Sequence, residues 1–417
     1  MAKIAFLSLP QYGHVFPEMP IVAELVRRGH QVTVFNEARF EAISRATGAA
    51  FIPYPDVMPH AAFTRALTEG DLVWWLQLLL TATADMLGPL LKPLEQDRPN
   101  IVVFDGIALW GEIIATRLRV PSVSISTSFI FAALDDPSGK LPPFGRWVIS
   151  FWRLFHRFVW AWCKMALHAG VRSLPWRMPF IPRQGKITLV LTSKTVHPKT
   201  PLLDSPRFAF VGACVDPSSR TERFDFSRLD GRPLIYVSLG TVLFTNQRFF
   251  ESCIAAFADF PGQVLLSVGP GTDLSQFAGA PGNFIFAHSL PQLEVLQRTA
   301  VFVTHAGLNS MQEALWYGVP MVAVPHTPEQ ARNAVIAAKA GAAVVLEAEA
   351  RQGHVDAAEL RAAVETVLAA PSHRQNAAAL GRSLREAGGF AAAADRIEEV
   401  AGIRATSSAA EIAHFTY

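Results

Sequence analysis

Cysteine is scarce. The 417 residues hold three, Cys163, Cys214 and Cys253, spaced too widely for a disulfide framework or a thiolate metal site. Buried free thiols in a reducing cytoplasm are the expectation. Net charge is almost absent, with 37 basic against 35 acidic residues. That excludes a nucleic-acid surface built on excess positive charge. The start, Met1-Ala2-Lys3-Ile4, runs straight into a strand pattern, so no signal peptide and a cytoplasmic location are expected. The loop after the first strand lacks G-x-G-x-x-G, and no acidic residue ends the second. The dinucleotide fingerprint of a dehydrogenase is therefore missing. No internal repeat of roughly 20–50 residues is visible.

What is present is apolar residues, 50% of the chain. This length exceeds one ordinary core, so two domains are expected. Short β-branched runs alternate with helix-period segments in both halves, which predicts α/β architecture with parallel sheets. Residues 1–213 read as one domain, 214–231 as a polar linker, 232–388 as a second domain, and 389–417 as a last helix and tail. The helix is expected to pack back on the first domain. In the first half, strands are predicted at 3–9, 31–35, 50–52, 101–104 and 122–125. Residues 10–15 read as a loop and 53–70 as irregular, Pro-containing chain.

The stretch 284–345 is the most informative. A strand at 301–304 ends in the turn His305-Ala306-Gly307, and a helix begins near Asn309. A helix N-terminus offers free N–H groups and the positive end of its dipole, which suits a phosphate. Ser310 adds a hydroxyl donor and His305 a ring nitrogen. Glu313, four residues after Asn309, lies on the same helix face, where a carboxylate can accept from vicinal hydroxyls. Glu329 and Gln330 read as a loop beyond the next strand, where ligands bind in open α/β sheets. A second strand-to-loop junction, Ser238-Leu239-Gly240-Thr241, offers more small-residue backbone.

The block P-Q-x-x-V-L from Pro291 and Gln292, then T-H-A-G-x-N-S-x-x-E-A-L-x-x-G-V-P-M-V-A-V-P, then E-Q, resembles the donor signature of family 1 glycosyltransferases. It is most similar to their bacterial macrolide-type branch. The resemblance covers nearly the whole chain. It implies the GT-B fold, two Rossmann-like domains with parallel sheets facing across a cleft. It implies donor contacts from Ser238, Gly240, Thr241, Pro291, Gln292, His305, Gly307, Asn309 and Ser310, with Glu313 on the ribose and Glu329 and Gln330 on the sugar. It also implies a base, His14 in G-H-V, oriented by Asp105 in F-D-G-I-A-L-W. A hydroxyl is a poor nucleophile, and His is the side chain that titrates near working pH. The expected reaction is inverting O-glycosylation, with a UDP-sugar as co-substrate and a dTDP-sugar as the alternative. The signature has no Asp-x-Asp pair, so no cofactor or metal is expected. Ser289 stands where plant members often carry a base-stacking Trp, and Ala306 and Leu308 replace plant Cys and Trp.

The acceptor is expected to be a bulky apolar natural product, since the first half is rich in Trp, Phe and Leu. Tyr12, Trp74, Trp147 and Phe151 are candidate contacts. Residues 144–167 carry seven aromatic residues from Trp147 to Trp162 with Arg146, Ser150, Arg153, Arg157 and Lys164 on one stripe. Three readings stay open: a helix packed on its domain, a wall of the acceptor pocket, or weak contact with a membrane surface. The competing functions are a membrane-associated transferase acting on a lipid, sterol or carotenoid, a sugar-nucleotide epimerase of the same fold, and a non-catalytic partner. The protein would be a monomer or homodimer.

Overall fold

The computed structural model describes residues 1–69, 71–130, 144–170, 185–220, 222–240, 247–346 and 355–403. The chain forms two compact units. The first holds Met1–Leu191, Lys199–Cys214 and Gly388–Tyr417, and the second Thr192–Pro198 and Val215–Ala387.

The sheet of the first unit has seven parallel strands: β1 (Lys3–Leu7), β2 (Gln31–Asn36), β3 (Ala50–Pro53), β4 (Ile101–Asp105), β5 (Ser122–Ser126), β6 (Ile187–Val190) and β7 (Phe208–Phe210). Their order is β3-β2-β1-β4-β5-β6-β7. Successive residues of β1 serve opposite faces: Ile4 and Phe6 join one core, Ala5 and Leu7 the other. Burial on both sides explains why the strands read as continuous apolar runs. The helices of this unit are α1 (Tyr12–Arg27), α2 (Glu41–Ala46), α3 (His60–Thr68), α4 (Leu72–Gln96), α5 (Leu109–Leu118) and α6 (Phe144–Ala169).

The second unit has six parallel strands: β8 (Leu234–Ser238), β9 (Gln263–Ser267), β10 (Phe284–Ala287), β11 (Val301–Thr304), β12 (Met321–Ala323) and β13 (Ala343–Val345). They are ordered β10-β9-β8-β11-β12-β13. Its helices are α7 (Gln247–Phe257), α8 (Gln292–Leu296), α9 (Leu308–Trp316), α10 (Pro328–Lys339), α11 (Ala357–Ala369) and α12 (Pro371–Glu386). The last helix, α13 (Gly389–Val400), is part of the first unit and packs on α1.

Three sequence readings are corrected. Helix α1 starts at Tyr12, so 10–15 is not a loop throughout and His14 sits in a first helical turn. Pro17 and Pro20 each remove a helix N–H. Burial of Val15, Met19, Ile21, Val22 and Leu25 on one side outweighs that loss. The segment 53–70 contains α3, whose Phe63 edge-packs on Trp75 of α4. Glu329 and Gln330 lie in the first turn of α10, because Thr327 and Gln330 close a reciprocal capping box. The polar stretch from Val215 clusters with the second unit. Gln263 holds it, accepting from the Asp230 N–H and donating to the Arg228 carbonyl.

Candidate active site

Strand β4 ends at Asp105, whose carboxylate is almost fully buried. Its Oδ1 accepts the Ile107 N–H at 2.8 Å, which fixes the carboxylate plane. Its Oδ2 lies 2.7 Å from His14 Nδ1. A carboxylate only accepts, so Nδ1 carries the hydrogen and Nε2 is left as the basic atom. Thr127 Oγ1, just past β5, also lies 2.7 Å from Nδ1 and shares that hydrogen. Thr127 carried no signal in the sequence; only strand order brings β5 beside β4. The pair therefore has an orienting acid and a fixed tautomer, an arrangement that suits a general base.

Of the acceptor candidates, Tyr12 packs edge-on against Phe40 with ring centroids 4.9 Å apart and lies under the Arg39 guanidinium. Trp74 is half-buried and its N–H is capped by Asp71. Phe151 is exposed on α6. The Trp147 side chain lies outside the described residues, as does Thr241.

In the second unit a cradle forms where β8 and β11 end side by side. The His305 imidazole is wedged between two glycines. A Cβ on Gly240 would lie 2.5 Å from its Cε1, and one on Gly307 2.5 Å from its Nε2. Gly240 also has φ +76, which a side chain resists. Burial, with His326 nearby, lowers the His305 pKa to about 4 against the pull of the Ser238 carbonyl. The ring is neutral at working pH and has one N–H, whose acceptor in this structure is the Ser238 carbonyl. Ala306 takes a left-handed φ of 60. Its carbonyl accepts from the buried Asn333 at 3.1 Å, so α10 pins the turn.

Helix α9 opens at Gly307 with no side-chain cap, and a helix N-terminus of this kind suits an anion. Gln292, just after Pro291, donates to Ser310 Oγ at 3.3 Å and to Glu313 Oε2 at 2.6 Å. Tyr236 donates to Gln292 Oε1 at 3.2 Å. Arg220 donates to Glu313 Oε1 at 2.6 Å, and both side chains are largely buried. Glu313 is thus already paired on both oxygens. Each oxygen keeps a second lone pair for a ligand hydroxyl. Arg220 was hidden from sequence reading because it sits in the stretch that looks like a linker. Gln330 Oε1 is taken by the N–H groups of His326 and Thr327, which leaves its amide nitrogen to offer. Glu329, beside it, is exposed.

So His14 pairs with Asp105 in one unit. In the other, Ser238, Gly240, Gln292, His305, Gly307, Ser310 and Glu313 gather at the ends of β8 and β11, while Glu329 and Gln330 belong to the α10 turn. Residues 148–386 match the family described as UDP-glucoronosyl and UDP-glucosyl transferase. The chain belongs to this family. It is a family 1 glycosyltransferase with the GT-B fold. The demethyllactenocin mycarosyltransferase of Streptomyces fradiae is 30% identical over 407 residues, 95% of this chain and 86% of that one. The uncharacterized UDP-glucosyltransferase YojK of Bacillus subtilis (strain 168) is 28% identical over 403 residues, 96% of this chain and 97% of the relative. Among solved structures, the glycotransferase of kitacinnamycin superposes with a TM-score of 0.79 at 28% identity, covering 96% of this glycosyltransferase and 98% of that chain. The calicheamicin glycosyltransferase CalG4 follows with a TM-score of 0.76 at 26% identity, covering 96% and 98%.

Proposed function

We propose that this transferase moves a hexose, glucose from UDP-glucose in the first instance, onto a hydroxyl of a bulky hydrophobic natural product of the polyketide, macrolide or flavonoid kind. His14 Nε2 takes the hydroxyl proton as the oxygen attacks the anomeric carbon. The bond from that carbon to the diphosphate oxygen breaks, the electron pair leaves with the nucleoside diphosphate, and the centre inverts. Asp105 steadies the imidazolium. The α9 N-terminus, Ser310 and His305, its one N–H turned from the Ser238 carbonyl to the ligand, meet the charge on the departing diphosphate. Glu313 receives the ribose hydroxyls, Glu329 and Gln330 the sugar hydroxyls, and no metal takes part.

The single observation that carries this reading is the His14–Asp105 contact of 2.7 Å, which leaves Nε2 as the basic atom. The acceptor class is supported by relatives whose names specify demethyllactenocin and oleandomycin. The test titrates UDP-glucose and dTDP-glucose into the purified protein and screens apolar alcohols and phenols by mass spectrometry. A gain of one hexose is expected. His14→Ala should keep donor affinity and lose about 10²–10⁴-fold in transfer rate. Transfer at the wild-type rate would remove His14 from the base role.

One observation favours a membrane-associated variant of this function. Helix α6 buries Leu154, Ala161, Met165 and Ala169 against the α4 side of its core. Trp152 is 67% exposed and Trp160 50%, with Phe151, Phe155 and Val159 also open. Arg153, His156 and Arg157 are exposed along the adjoining flank, and the 26-residue helix holds no Asp or Glu. Among the described residues no helix is long and apolar enough to cross a membrane. Aromatic rings beside exposed arginines fit the surface of an anionic bilayer. The protein should co-sediment with phosphatidylglycerol vesicles but not phosphatidylcholine ones, and Arg153→Glu/Arg157→Glu should abolish it. Equal recovery in both supernatants would sink this reading.

A further inference from the structure

Glu18 lies one helical turn after His14 on α1 and is fully buried. Among the described residues neither of its carboxyl oxygens, nor the Ser8 hydroxyl beside it, makes a hydrogen bond within 3.5 Å, and Ser8 and Asp105 are the side chains near enough to offer one. The groups that act on it are Asp105 and Ser8. Glu18 in turn acts on Tyr54 and on the buried Cys214 thiol. His14 belongs to its own helix, and Glu37, which shares the Tyr54 neighbourhood, is held by His60 and Arg39. None of the groups acting on Glu18 is a lysine or arginine. An ionised carboxylate stripped of water and without a cation costs several kcal/mol, so such a group takes up a proton. Burial and the charge of Asp105 together push the Glu18 carboxyl well above its ordinary range.

A protonated carboxyl is a donor, and the strongest acceptor near it is the Asp105 carboxylate. We propose that Glu18 is a positioning residue for the His14–Asp105 pair: held as a neutral acid, it donates a hydrogen bond to Asp105 and so sets how much carboxylate charge reaches the imidazole. Asp105 then has three donors, the Ile107 N–H, His14 Nδ1–H and the Glu18 hydroxyl, sharing one negative charge. Spreading that charge weakens its hold on the imidazolium and makes His14 a weaker base that more readily gives its proton up.

The consequence for catalysis rests on His14 being the base, but the coupling itself is measurable without turnover. The His14 ring is followed by NMR through a pH titration and assigned by its loss in His14→Gln. Its midpoint should rise in Glu18→Gln, whose amide is a weaker donor, and rise further in Glu18→Leu, by about half a pH unit or more. The acid limb of kcat/KM should move by the same amount in each folded variant. Equal midpoints in all three proteins would overturn the proposal. A wild-type measurement stands independently of how the variants fold. In protein labelled with [δ-13C]glutamate, one carboxyl should sit at its protonated shift at pH 7, and its absence would also overturn the proposal. Shifted midpoints with an activity indifferent to His14→Ala would keep the Glu18 coupling and discard the base.

Discussion

His305 shows how a single residue combines function and cost. Its ring fills the space two glycines leave open, so it is fitted into the cradle and partly shielded from water. A neutral imidazole adds no charge that the site would have to bury. The same burial makes stability depend on pH. Below its ordinary 6.5 the unfolded chain binds a proton that the folded ring, at about 4, refuses. Stability therefore falls as pH drops from about 6.5 toward 4, by about 3 kcal/mol from this ring alone. His326 and His197, lowered by burial, act in the same direction. Urea unfolding of His305→Gln across that window should show a shallower loss than wild type. Parallel curves would mean that the ring is protonated in the folded state.

At the scale of elements, the position of α9 decides the cradle. Helix α9 carries Asn309, Ser310 and Glu313, and α12 lies against its back. The closest approach is at Gly381, where an added Cβ would stand 1.9 Å from the Leu315 carbonyl oxygen. No rotamer change relieves a clash with backbone. Gly381→Ala should push the helices apart, cost about 1–3 kcal/mol and weaken donor binding with it. Calorimetry with UDP-glucose reads both effects. Unchanged melting temperature and affinity would show that α9 is placed by its strand alone. In the sequence this glycine is one of 27 in the chain, set in an Ala-rich segment, and nothing marks it as the contact.

At the scale of the whole molecule, the chain returns to its beginning. Helix α13 packs on α1 through Ala393, Ala394, Ile397 and Val400. Arg28, at the end of α1, binds Glu24, Asp395 and Glu398 at 2.6–2.8 Å. Glu398 also accepts from His30 Nε2 at 2.8 Å. The Arg27 hydrogen bond, with Arg28, holds the Glu24 carboxyl down to about 2. That contribution is present above pH 4.5 and fades as pH falls toward 2. Arg28→Met should cost about 3–5 kcal/mol, because it leaves buried carboxylates without their cation. Faster proteolysis of the final helix would accompany it. Loss of less than 1 kcal/mol would assign the docking of α13 to apolar contact alone.

The sequence by itself determined the two parallel sheets and the strand-end loops, and its resemblance to a family named His14, Asp105 and the donor block as candidates. The sheets and loops rest on local patterns, apolar runs bounded by Gly and Pro. Tertiary structure decided what depends on residues far apart meeting. It put Thr127 on His14, Arg220 on Glu313, Asn333 on the Ala306 turn and Glu18 beside Asp105. It also turned residues 12–15 and 328–330 into helix, because buried side chains and a capping box outweigh the propensity of Pro, Gly and Thr. Local pattern names the groups that do chemistry. Strand order and close packing choose the partners that set their charge and direction.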